Sequence, residues 1–123
     1  MLNDAMVAAV LPAEDMARAK AFYTDKLGLT VASDNQDGLM LNAGNGTMLF
    51  IYPYGKTKAE HTVAGFNVSD IEATIKELRA AGVAFEDYDL PGLKTVDGIV
   101  SSPTSKAAWF KDTEGNILSL IQM

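Results

Sequence analysis

Short runs in which apolar residues alternate or cluster are interrupted by a stretch with helical spacing, and this order occurs twice along the chain. In the first half, Met6 to Leu11 is a β-rich run, and Pro12 is expected to end it. Asp15 then caps a helix with Met16, Ala19, Tyr23 and Leu27 on one face and Gly28 as its stop. Three strands are expected next, over Leu29 to Ala32, Gly38 to Ala43 and Thr47 to Tyr54, with a hairpin turn at Asn42-Ala43-Gly44-Asn45-Gly46. In the second half, a strand over Thr62 to Val68 leads into the capping box Ser69-Asp70-Ile71-Glu72. The helix it starts carries Ile71, Ile75 and Leu78 on its apolar face and closes at Gly82. Strands are expected over Val83 to Tyr88, near Ala107 to Lys111 and over Asn116 to Gln122, with a turn at Asp112-Thr113-Glu114-Gly115-Asn116. Leu90 to Ser105, holding Pro91, Gly92, Gly98 and Pro103, reads as a long mobile loop beside a site.

The two halves are copies of one pattern. Thirteen residues separate Asp15 from Gly28, and twelve separate Asp70 from Gly82. Each copy closes on a glycine-led apolar run, Gly46 to Ile51 and Gly115 to Leu120. A repeat of half the chain implies two similar modules. The expected fold is α+β: two tandem βαβββ modules, about residues 5–55 and about 60–123, within one domain spanning 1–123.

Composition narrows the function classes. At 123 residues and 48% hydrophobic, the chain can build a core without a metal or disulfide staple. With no Cys, thiol catalysis and Cys-rich zinc sites are excluded. Ten basic against sixteen acidic residues leave a net charge of -6 and no basic stripe, which argues against a nucleic-acid partner. No apolar run approaches the roughly 20 residues of a membrane span. The opening Met1-Leu2-Asn3-Asp4-Ala5 carries an acid where an export signal carries basic residues, so a cytoplasmic location is expected.

The duplicated module, with Asp15, Phe22, Tyr23, Leu27 and Gly28 in the first copy, resembles the vicinal oxygen chelate superfamily. Asp70, Leu78, Gly82 and the run Phe110-Lys111-Asp112-Thr113-Glu114-Gly115-Asn116 carry the likeness in the second copy, with Thr113 and Glu114 departing from the usual Asp-Pro-Asp-Gly-Asn. That superfamily includes glyoxalase I, extradiol dioxygenases, fosfomycin-resistance enzymes and bleomycin-resistance proteins. The resemblance implies that each module curls a mixed sheet into half of a cup and that two chains pair as a homodimer. It also implies a divalent ion held by His, Gln or Glu from the first and last strand of each module. Counted from the helix caps and turn glycines, those places hold Ala8, Phe50, Val63 and Ser119. Three of them have no donor atom, and a lone hydroxyl is a poor ligand. No metal and no other cofactor is therefore expected.

Candidate ligand-binding residues follow from the same positions. Met48, Phe50, Tyr52 and Tyr54 alternate with Leu49 and Ile51, so an aromatic face opposes an aliphatic one. The aromatics either line a stacking wall for a planar or cationic ligand or fill space in a cavity or dimer interface. His61, the one histidine, is expected to share a face with Val63, as a hydrogen-bond partner or general base, or as a strand-end residue with no task. Either Trp109 or Phe110 should face the site, and parity is not fixed by the sequence. Ser119 offers a hydrogen bond or simply makes room. No Ser lies in a nucleophile elbow, and Gly44-Asn45-Gly46 is a turn rather than a phosphate loop. The favoured reading is a binder of a small aromatic or cationic molecule that uses Met48, Phe50, Tyr52, His61, Trp109 and Ser119 without metal. The alternative is a lyase, isomerase or dioxygenase of the same superfamily with displaced or absent metal ligands.

Overall fold

A computed structural model describes residues 1–123. In chain order the elements are β1 (Ala9–Ala13), α1 (Met16–Ala21), β2 (Thr30–Asn35), β3 (Gly38–Asn42), β4 (Met48–Pro53), β5 (Thr62–Asn67), α2 (Ile71–Ala80), β6 (Asp89–Leu90), β7 (Leu93–Lys94), β8 (Ile99–Ser101), β9 (Lys106–Lys111) and β10 (Ile117–Gln122). They fall into two compact units, Met1–Thr57 and Lys58–Met123. Each is a four-stranded mixed sheet with one helix, which is the tandem βαβββ architecture.

In module one the strand order is β1-β4-β3-β2, with β1 parallel to β4 and the other pairs antiparallel. Asp15 caps α1 as expected, its Oδ1 accepting from the Arg18 N–H at 3.0 Å. After Ala21 the helix widens by a π turn over Phe22–Lys26, in which the Leu27 N–H reaches back to the Phe22 carbonyl at 3.2 Å. Gly28 then turns the chain at φ +76°, a left-handed conformation that costs glycine little. Leu11, Ala13, Leu39, Leu41, Leu49 and Ile51 are buried on the sheet, with α1 packed on β4. Each fully buried aliphatic side chain of this kind contributes about 1.5–3 kcal/mol.

Two expectations for this module are corrected. The first strand starts at Ala9 rather than Met6 and runs through Pro12. As an outer strand β1 needs donors on one side only, so the missing proline N–H is tolerated. β2 runs on to Asn35 rather than ending at Ala32, with a bulge between Val31 and Ser33. All six of its residues are exposed, and an outer strand can pair through its backbone without apolar side chains.

Module two has the order β5-β10-β9-β8, again with its first strand parallel to its last. The N-cap of α2 is Asp70, whose Oδ1 accepts from the Ala73 N–H at 3.1 Å. Ser69 and Glu72 do not form the expected capping box; the Glu72 carboxylate instead takes Lys106 Nζ at 2.6 Å. The Ile71 N–H donates to Gln122 Oε1 at 2.8 Å and ties the helix start to β10. Ile71, Ile75, Ala108, Phe110, Leu118 and Leu120 are buried, with Phe85 against Phe110 at 5.4 Å. At the turn before β10, Asp112 Oδ1 accepts from the N–H groups of Glu114 and Asn116, at 2.8 and 2.9 Å.

The expected strand over Val83 to Tyr88 is not formed, apart from a single bridge between Phe85 and Phe110. The fourth strand is β8, inside the segment expected to be a loop. Asp87 explains the switch: its Oδ1 accepts from Thr95 Oγ1 at 3.1 Å and from the Gly98 N–H at 3.0 Å. Those bonds fold residues 87–98 back on themselves, and β6 and β7 pair across Pro91-Gly92 as a small hairpin.

Candidate functional site

Each sheet has one face under its helix and one without it. In module one the alternation expected of β4 is present: Leu49 and Ile51 are buried, while Met48, Phe50 and Tyr52 are half-buried on the other face. Register puts Phe50 between Val10 and Met40, and Tyr52 beside Pro12. The Phe50 ring lies over Gly38, where an added Cβ would sit 2.6 Å from Cζ. Tyr54, just past the strand, stacks obliquely on Tyr52 with ring centres 6.0 Å apart.

In module two the parity of β9 is settled by burial. Phe110 is fully buried on the helix side, so Trp109 belongs to the helix-free face. There Trp109, Ser119 and Gly65 form one row across β9, β10 and β5. Trp109 Nε1 donates to Thr62 Oγ1 at 3.1 Å, and Tyr88 meets the indole edge-on at 5.6 Å and 78°. The Ser119 hydroxyl stands above Gly65, where an added Cβ would come within 2.7 Å of it. Burial, then the nearby Glu86 carboxylate, raises the Tyr88 phenol above its usual value.

Of the expected residues, Met48, Phe50 and Tyr52 share one face of module one, and Trp109 and Ser119 share one face of module two. His61 is exposed in the bend before β5 and makes no part of the Trp109 row. It lies outside β5, so the strand alternation that was to align it with Val63 does not extend to it; within the strand the β5–β10 register shifts, Thr62 pairing with Ile117 and Ala64 with Leu118. Thr62 and Tyr88 were not singled out by sequence reasoning. Phe85 packs on Phe110 on the helix side, so in extended chain Glu86 and Tyr88 fall on the opposite face, and the Glu86 N–H keeps the segment on β9 through the Trp109 carbonyl at 2.8 Å.

At the places where the family resemblance puts metal ligands stand Ala8, Phe50, Val63 and Ser119. Nowhere do three or more His, Cys, Asp or Glu side chains cluster closely enough to hold an ion. The residues present do not fit a divalent cation. A cavity of about 300 Å³ opens beside α2, lined by Glu72, Ile75, Lys76, Arg79, Asp97 and Ile99. It lies on the helix side of module two, away from Trp109, and its Arg79 is engaged by Asp97 at 3.3 Å. No helix is long and apolar enough to cross a membrane.

Residues 5–120 match the Glyoxalase/Bleomycin resistance protein/Dioxygenase superfamily, and the chain belongs to it. Among solved structures it is similar to UcmS2, at 24% identity over 94% of this chain and 97% of that one, with a TM-score of 0.72. It is also similar to TnmS3, an antibiotic binding protein from Streptomyces sp. CB03234, at 23% identity over 97% of both chains and a TM-score of 0.69. A lactoylglutathione lyase from Agrobacterium tumefaciens shares the fold at 17% identity, over 99% of this chain and 96% of that one, with a TM-score of 0.74. No curated protein matches. A binding protein and a lyase on one fold mean that the fold alone does not decide the activity.

Proposed function

We propose that this protein binds a small aromatic or cationic organic molecule on the helix-free face of a sheet, without a divalent metal. The observation that carries the reading is the content of the helix-free faces. Phe50 and Ser119 stand where the resemblance puts metal donors, Tyr52 is two residues from Phe50 on β4, and Trp109 pairs with Ser119. Hydrocarbon and aromatic surface there favours burial and stacking of a flat ligand, and a single hydroxyl orients it. TnmS3, with the same fold, is an antibiotic binding protein, which agrees with this reading. An acidic balance of -6 favours a cationic ligand over an anionic one.

Trp109 is the one tryptophan, so its fluorescence reports on the face directly. Titration with a panel of planar aromatic compounds, neutral and cationic, should give saturable quenching by some members, unchanged by EDTA. The reading is overturned if no member gives a saturable response, or if binding is lost on chelation and restored by a divalent ion.

A further inference from the structure

We propose that the helix-free face of module two selects a planar aromatic cation, with the Trp109 indole as the stacking plane and the Glu86 carboxylate as the counter-charge. This rests on the small-molecule reading above, and it adds the sign of the ligand's charge and the residue that reads it.

The indole is held before any ligand arrives. Its Nε1 is bonded to Thr62 Oγ1 and its edge is met by Tyr88. A ring already fixed loses little freedom when a ligand stacks on it. Glu86 is anchored alongside, because its backbone N–H donates to the Trp109 carbonyl at 2.8 Å. Its side chain is on the same side as the rings: it acts electrostatically on the Tyr88 phenol and reaches Lys111, two residues beyond Trp109 on β9.

The present partner of Glu86 is weakly held. Lys111 Nζ is 3.9 Å from Glu86 Oε1, and the lysine side chain is 53% exposed. A long, solvated pair of this kind contributes little and exchanges readily. By contrast, Lys106 and Glu72 meet at 2.6 Å. A ligand cation stacked on Trp109 would add the attraction of the ring face to that of the carboxylate. An anion would gain only Lys111 and would face both the ring quadrupoles and Glu86.

The test is equilibrium dialysis of the whole protein against N-methylacridinium and acridine, under mildly alkaline conditions where acridine is uncharged. The two probes share shape and differ in charge. Wild-type protein should prefer the cation. Glu86→Gln should lower the cation-to-neutral affinity ratio by roughly three- to tenfold, and Lys111→Met should raise it by about two- to threefold. Trp109→Ala should weaken both probes; should that variant unfold, Trp109→Phe should weaken both by less. A ratio unchanged by Glu86→Gln, or a wild-type preference for acridine, overturns this inference alone when Trp109 substitution still weakens binding. Wild-type protein that binds neither probe overturns this inference, and the small-molecule reading falls with it only if the whole panel of aromatic compounds also gives no saturable quenching.

Discussion

Gly38→Ala tests the arrangement of the module-one face through stability alone. At residue 38 an added Cβ would lie 2.6 and 2.9 Å from Cζ and Cε1 of Phe50 and 2.5 Å from the Ile51 carbonyl oxygen. The ring can swing away. The carbonyl cannot, because β4 is paired on both sides, with β1 and β3. Gly38 also sits at φ +153°, which a side chain adopts only with strain. Overpacking of this kind costs about 1–3 kcal/mol, and the backbone adds about 1 kcal/mol. The expected loss is about 2–4 kcal/mol, a fall in Tm of roughly 8–16 °C for a chain of this size. Urea and thermal unfolding of Gly38→Ala, Phe50→Ala and the double variant give a mutant cycle. The double variant should lose less than the two single losses added, by about 0.5–2 kcal/mol, because removing the ring relieves one of the two clashes. A Gly38→Ala protein within about 0.5 kcal/mol of wild type would refute the placement of Phe50 over residue 38. Strict additivity would refute the contact between the two.

The double substitution Phe50→His with Ser119→Glu should give no robust uptake of zinc or nickel, because Ala8 and Val63 still lack donors; tight binding by calorimetry would count against the ligand alignment. Tyr88 keeps its proton above the ordinary phenol value of 10.0. Its stabilising contribution is therefore present below that value and is lost as pH rises through the folded one. Tyr88→Phe should flatten the alkaline limb of stability against pH, and an unaltered limb would refute the assignment. Glu72 is held below its usual 4.5, first by the hydrogen bond from Lys106. That contribution is present above pH 4.5 and lost as pH falls through the folded value, and NMR titration of Lys106→Met should find Glu72 moved up towards its ordinary value while its own backbone N–H still holds it lower. Thr62→Val should free the indole, shifting Trp109 emission and weakening aromatic ligands, and an unchanged spectrum would show that the 3.1 Å bond does not hold the ring.

The chain's own pattern determined whatever depends on near neighbours. Asp15 and Asp70 cap their helices because a short carboxylate reaches an N–H three residues on, whatever else the protein does. The alternation of Leu49 and Ile51 with Met48, Phe50 and Tyr52 follows from strand geometry, so the split between core face and open face is legible in the order of the residues. So is the duplication of the module, since both copies repeat nearly the same cap-to-glycine spacing. The absence of donors at Ala8, Phe50 and Val63, with a lone hydroxyl at Ser119, is legible as well, because it concerns residue identity alone.

Tertiary structure decided what depends on register and on distant partners. Trp109 and Phe110 are both large and aromatic, and only the burial of Phe110 beneath α2 told them apart. His61 falls in the bend before β5 rather than in the strand, and the β5–β10 register shifts at Val63, where a bulge leaves no mark in the composition of one strand. Pro12 lies inside a strand because β1 is outermost in its sheet, a fact of strand order rather than of local sequence. Tyr88 and Glu86 lie beside Trp109 because Phe85 pairs with Phe110 and the Glu86 N–H bonds the Trp109 carbonyl, a pairing between residues more than twenty apart. Capping and alternation act over a few residues and can be read one residue at a time. Pairing across strands is selected by the whole fold, and the candidate ligand face of module two is made of such pairings.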